Sequence, residues 1–144
     1  MKNIIFLIAL IFVGYSVVES NPNLLNGTKS ESSANDHVLS NAYENQQSDI
    51  QVTGSGVVIR NLEDDLIGSR HQKFIVRLSS GQTLLISHNI DLAPRINSLY
   101  EGDRIEFHGE YEWNAKGGVV HWTHHDPAGR HADGWIKHDG TIYQ

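Results

Sequence analysis

The chain of 144 residues, 39% of them hydrophobic, can hold one domain with a packed core and hardly two. Its 17 acidic residues outnumber 11 basic ones, and the net charge of −6 excludes coating of duplex nucleic acid or an anionic membrane by charge alone. With no cysteine there is no disulfide framework, zinc-thiolate site, iron–sulfur cluster or thiol catalysis, whereas nine histidines are many beside 11 lysines and arginines.

Residues 1–20 read as a secretory signal peptide. Lys2 supplies the positive end, Ile4 to Val18 is apolar but for Gly14, Tyr15 and Ser16, and Val18-Glu19-Ser20 offers a cleavage site. A run of about 15 apolar residues falls short of the roughly 20 that span a bilayer. Cleavage is therefore expected over retention as an anchor, with no stable membrane insertion afterwards. The expected location is the periplasm or the extracellular space. Residues 21–35, rich in Asn, Ser and Gly without periodicity, read as a flexible linker before a single domain over residues 36–144. Asp36 is the expected N-cap of a short helix to Gln47, with Val38, Leu39, Ala42 and Tyr43 on one stripe.

From Ile50 the pattern turns to strands. Gln51 to Arg60 carries Gly54 and Gly56, which suggest a bulge or sharp coil. After a polar loop, Lys73 to Leu78 alternates and leads through Ser79-Ser80-Gly81 into Thr83 to Ser87, a hairpin. Ile90 to Leu99, interrupted by Pro94, reads as a helical or irregular crossover. Arg104 to Trp113 and Val119 to His124 form a second hairpin around Asn114-Ala115-Lys116-Gly117. Three strands, a crossover and a two-strand hairpin are the order of an all-β, five-stranded Greek-key barrel of the OB type. An SH3-like barrel or a β-sandwich is the alternative. The segment after Asp126, rich in His and Trp, reads as irregular.

Six histidines lie between positions 108 and 138. If Trp113 faces Val119, then Tyr111 faces His121 and Gly109 faces Thr123 on the core side with Ile105 and Phe107. The opposite face would pair Glu112 with Val120, Glu110 with Trp122, and His108 with His124. Two imidazoles and a carboxylate in one patch suit zinc or a similar divalent metal, and His125, Asp126 and His131 follow on a loop that could add ligands. A solvated pair without metal is the competing reading. In this register His121 is a hydrogen-bonded core residue, Trp113 belongs to the core, and Trp135 covers the open end of the barrel. Trp122 on the histidine face could stack a base or a sugar. A second polar cluster, Asp64, Asp65, Arg70 and His71 with His88, Asn89 and Asp91, is expected at the barrel rim. There, Arg with His suits anion contact and Asp with His suits acid–base work.

The phrases HQKFIVRLSSGQTLLISHNIDLAPRI and GDRIEFHGEYEWNAKGGVVHWTHHDPAGRHADGWIKHDG, with the final Tyr143-Gln144, closely resemble a family of small exported bacterial proteins known only as a domain of unknown function (DUF 3465). The resemblance spans roughly Ala42 to Gln144. It implies an exported single domain of bacterial source and assigns no activity. Ser87 departs from the alanine expected in the family's AHNIDLAPR phrase. A more distant similarity of architecture links the chain to secreted thermonucleases, whose arginine-and-carboxylate calcium site has no matching motif here.

The leading functional expectation is a binding domain that takes a polar ligand on its His/Trp-rich face. A nucleic-acid fragment, a saccharide or a divalent metal would fit, with Trp122, Arg70, His88, Asn89 and Asp91 as contacts. The first alternative is a metal-dependent hydrolase acting on phosphodiesters. It would hold its metal on His108, His124 and one of His125, Asp126 or His131, with Glu110 or His71 as the base. The second alternative is an envelope interaction protein whose histidines respond to acid.

Overall fold

A computed structural model describes residues 22–144, with side chains from Lys29 onward; the expected signal peptide lies outside the described residues. Ser32–Gln144 forms one compact unit. The elements in order are helix α1 (Pro22–Glu44) and strands β1 (Ile50–Asn61), β2 (His71–Arg77), β3 (Thr83–Asn89), β4 (Arg104–Glu112), β5 (Val119–His121), β6 (Trp135–His138) and β7 (Thr141–Tyr143). No helix among the described residues is long and apolar enough to cross a membrane.

Strand order β1-β2-β3-β5-β4, closed by a β4–β1 pairing, makes a five-stranded barrel. The β3–β5 pairing is parallel and the others antiparallel, as in the OB architecture. Closure depends on β1 serving two neighbours. Residues Ile50–Val57 pair with β4 and Val57–Asn61 with β2, with a register shift between Val58 and Arg60. The ring of Phe107 lies where a Cβ on Gly54 would sit, and the Arg77 carbonyl occupies the same place at Gly56. The two glycines therefore let the strand coil close to its neighbours, while the bulge itself falls further on, around Ile59.

Alternation along β2, β3 and β4 puts Phe74, Val76, Leu84, Ile86, Ile105, Phe107 and Tyr111 into one core with Val120 and Ile136. Leu39 and Ala42 of α1 join it, whereas Val38 stays exposed. The helix begins at Pro22, within the stretch expected as a tether, so Asp36 lies inside it and is no N-cap. The buried Asp36 carboxylate instead accepts from the Ser79 hydroxyl and the Ser80 N–H at the β2–β3 turn. Gln82 Nε2 donates to the Leu39 carbonyl and Trp113 Nε1 to that of Tyr43, which fastens the helix to both hairpins.

The crossover contains no helix. Gln72 holds it by donating to the Ile96 carbonyl and accepting from the Ile96 N–H, both at 2.9 Å. The expected β4–β5 register is corrected by one residue: Glu112 pairs with Val119, Tyr111 with Val120 and Glu110 with His121. Asn114 Oδ1 accepts from the N–H groups of Lys116 and Gly118, and Gly117 and Gly118 both take positive φ, which lengthens the loop. Because side chains alternate, a one-residue slip turns the whole strand over. Val120 enters the core and His121 leaves it. β5 also ends early, where Trp122 takes φ 53°. The vacated half of β4 is taken by β6, which the sequence reading treats as irregular, and β7 completes a hairpin outside the ring.

Candidate metal centre

The outer face of the β4–β5 pair carries Glu110 and Glu112 from one strand and His121 from the other, placed there by the corrected register. One ligand atom from each lies within 4.8 Å of the others. His121 Nε2 is 3.6 Å from Glu112 Oε1 and 3.7 Å from Glu110 Oε1, too far for hydrogen bonds. That nitrogen is sealed from solvent and has no hydrogen-bond partner among the described residues. Ligand bonds of about 2.1 Å at a tetrahedral angle separate two donor atoms by about 3.4 Å, close to this spacing. Both carboxylates lie on the same face, where a cation between them would relieve their mutual repulsion.

Glu110 is the least exposed of the three side chains, at 14%. Its second oxygen, Oε2, is in contact with Nε2 of His131. His131 donates Nδ1–H to the Ala132 carbonyl at 2.8 Å, so the ring is held from both ends and fixes how Glu110 is aimed. Burial works against protonation of His131, but the Ala132 carbonyl and the Glu110 carboxylate together raise its pKa above the ordinary value. The loop bearing His131 is shaped by Asp126, whose carboxylate accepts the N–H groups of Ala128, Arg130 and His131. These bonds hold the Asp126 pKa below the ordinary range. Asp126 is thus a loop organiser and offers no oxygen to the cluster. Trp122 stacks on His131 with ring centroids 3.9 Å apart and planes 10° apart, and His124 lies 5.2 Å from the same indole. The indole face against His131 is therefore not open to a base or sugar.

The remaining sequence-selected residues fall elsewhere. His108 opposes Trp135, not His124, and its Nδ1 meets the Thr53 hydroxyl at 2.8 Å. His124 is buried and donates Nδ1–H to the His125 carbonyl, while His125 pairs with Asp133 at 3.0 Å. The His108/His124 pair thus does not form, and neither residue belongs to the Glu110/Glu112/His121 group. His88 is not at the rim. It is fully buried, with Nε2–H donating to the Pro94 carbonyl and Nδ1 accepting from the Thr123 hydroxyl. Burial pushes its pKa down to about 4. Arg70 and Asp91 form an exposed pair at 2.7 Å, with Asp91 also receiving the Arg70 N–H; Asp64 pairs with Arg95, and Asp65 caps the Ile67 N–H. His71 and Asn89 are ladder partners at the end of the β2–β3 pair and line a cavity with His121, Trp122 and His124. Trp135 stacks near His108, and Trp113 is half-buried against the core.

Glu112 and His121 are the members that the sequence reading did not place in the site. The signal for them was the polarity of His121 itself: pairing Val120 with Tyr111 buries a valine and frees the imidazole.

The fold and this surface define a small OB-type barrel with a mixed nitrogen–oxygen cluster of side chains, Glu110, Glu112 and His121, on its outer face. Across residues 23–144 the chain matches DUF3465, a family of proteins of unknown function, and it belongs to that family. No curated protein matches the chain.

Proposed function

We propose that this protein is an exported binding domain that holds one divalent first-row cation between Glu110, Glu112 and His121. The observation that carries the reading is His121 Nε2, sealed and unpartnered, facing one oxygen of each carboxylate at nearly equal distance. A buried polar nitrogen without a hydrogen-bond partner is costly, and a cation supplies the partner. The donor set suits zinc or a neighbouring ion better than calcium, which takes oxygen ligands only. His131 orients Glu110 from behind. Three protein ligands leave the fourth position open, and that open position favours a metal-dependent hydrolase as a second reading, examined by a phosphodiester screen on zinc-loaded protein.

Equilibrium dialysis against zinc, read by elemental mass spectrometry, is expected to give about one equivalent per chain. The near-isosteric double variant Glu110→Gln/Glu112→Gln should bind zinc on the order of 100-fold more weakly, at or beyond the upper end of what outer ligand partners contribute. Undiminished binding by the double variant would move the metal to other histidines and sink the proposal.

A further inference from the structure

A cavity of about 230 Å³ is lined by His121 together with Ser69, His71, Asn89, Leu92, Trp122 and His124. Its chemistry is fixed by bonds made outside it. His71 donates Nδ1–H to the Ser69 carbonyl and His124 donates Nδ1–H to the His125 carbonyl, both held by backbone. Each ring therefore presents Nε2 as a lone-pair acceptor. Neither Nε2 has a partner among the described residues, and neither is sealed, although His124 as a whole is buried. Asn89 is arranged the opposite way. Its Oδ1 accepts the N–H groups of Asp91 and Leu92, which leaves its NH₂ group as a donor.

Charge narrows the ligand further. No carboxylate, lysine or arginine lines the cavity. The nearby Arg70 and Asp91 are bound to each other. Such a lining repays neither a strongly anionic nor a cationic ligand. It matches a molecule whose O–H groups donate to two imidazoles and whose oxygens accept from an amide, against an indole wall. The volume is below the 300–1,000 Å³ typical of drug-sized ligands and fits a small one.

We propose that this cavity binds a neutral, hydroxyl-rich molecule of monosaccharide size through His71, His124 and Asn89. The imidazole and amide contacts do not depend on the cation reading. His71 and His124 are binding residues here and take no part in holding the cation.

The test is a titration of the full-length protein with glucose, galactose and N-acetylglucosamine, with and without zinc, followed by calorimetry and by imidazole NMR signals. The expected Kd is on the order of 1–10 mM, with or without zinc. His71→Asn and His124→Asn each keep an N–H for the backbone carbonyl and delete only the Nε2 acceptor. Each should weaken saccharide binding roughly tenfold while leaving zinc stoichiometry unchanged. Zinc binding with no saccharide response up to about 100 mM would overturn the proposal. So would undiminished saccharide binding in both variants, or tight binding of inorganic phosphate in place of sugar. Saccharide binding by protein that takes up no zinc would support the pocket and overturn the cation reading, so the two failures are separable.

Discussion

Gly118→Ala is expected to destabilise the barrel by about 4 kcal/mol and to abolish tight zinc binding at the same time. Gly118 has φ 107°, a conformation that side chains rarely adopt, and an added Cβ would run into the ring of Tyr111. Backbone strain of this kind costs about 1–3 kcal/mol, and overpacking against a buried ring adds about 1–3 kcal/mol. Tyr111 cannot easily yield, because it is fully buried and its hydroxyl donates to the Gly117 carbonyl at 3.0 Å. The effect on zinc follows from register. Gly118 and Asn114 set the length of the loop, and that length decides whether His121 or Val120 faces the carboxylates. Gly102→Ala is the control. It also places alanine at positive φ, but no atom lies near its Cβ, so it should cost about 1 kcal/mol of strain and leave zinc binding intact. Urea denaturation and zinc titration of both variants check the pair. Unchanged stability in Gly118→Ala would mean that the loop tolerates another conformation.

Acid should destabilise the protein through His88 by roughly 3 kcal/mol between pH 7 and pH 4. Burial lowers the folded-state pKa of His88 from 6.5 to about 4, opposed by the Pro94 carbonyl and helped by the neighbouring His124 and His71. Below pH 6.5 the unfolded chain takes up a proton that the folded chain refuses, so stability falls as pH falls and the loss levels off below about pH 4. His131 acts in the opposite sense. Its raised pKa makes the fold relatively more stable at acid pH, so the difference between parent and His88→Gln isolates the His88 contribution. The lowered pKa values of Asp103, Asp126 and Asp133 act in a separate window, below 3.8, where their stabilisation is lost. Chemical denaturation at a series of pH values should show a slope between pH 6.5 and 4 that His88→Gln removes. An equal slope in both proteins would place the acid sensitivity elsewhere.

The barrel was legible because β2, β3 and β4 alternate without interruption and are separated by turns with glycine or asparagine at the required places. The register of β5 was less legible, since Val119 and Val120 fit the core equally well by hydrophobicity. The choice between them is made by the Asn114 side chain within the loop, a local bond that counting residues does not reveal. β6 and β7 are short and mixed in polarity, and β6 exists because β5 stops at His121 and leaves β4 an open edge. Gly134 makes that replacement feasible: the Trp122 and His108 carbonyls crowd the place where its Cβ would be.

The same reasons govern the site. Glu110 and His131 could be singled out as polar residues on the right face and loop, but their mutual contact depends on the turn that Asp126 organises. His88 and His124 look like ligand contacts in sequence and are buried in the fold, each with one ring nitrogen bonded to a carbonyl supplied from a loop. Histidine count alone therefore indicated the region and not the constellation. The strand register selected the constellation.

The central claim is that a cation seats itself on His121 Nε2 between two carboxylates. Long-range ¹H–¹⁵N correlation of the imidazole rings during a zinc titration tests it atom by atom. The His121 Nε2 resonance should move to the metal-bound range and saturate at about one equivalent of zinc, while the buried His88 and His138 stay where they are. A His121 signal that does not move while zinc binds, or while another histidine shifts in its place, would contradict the account.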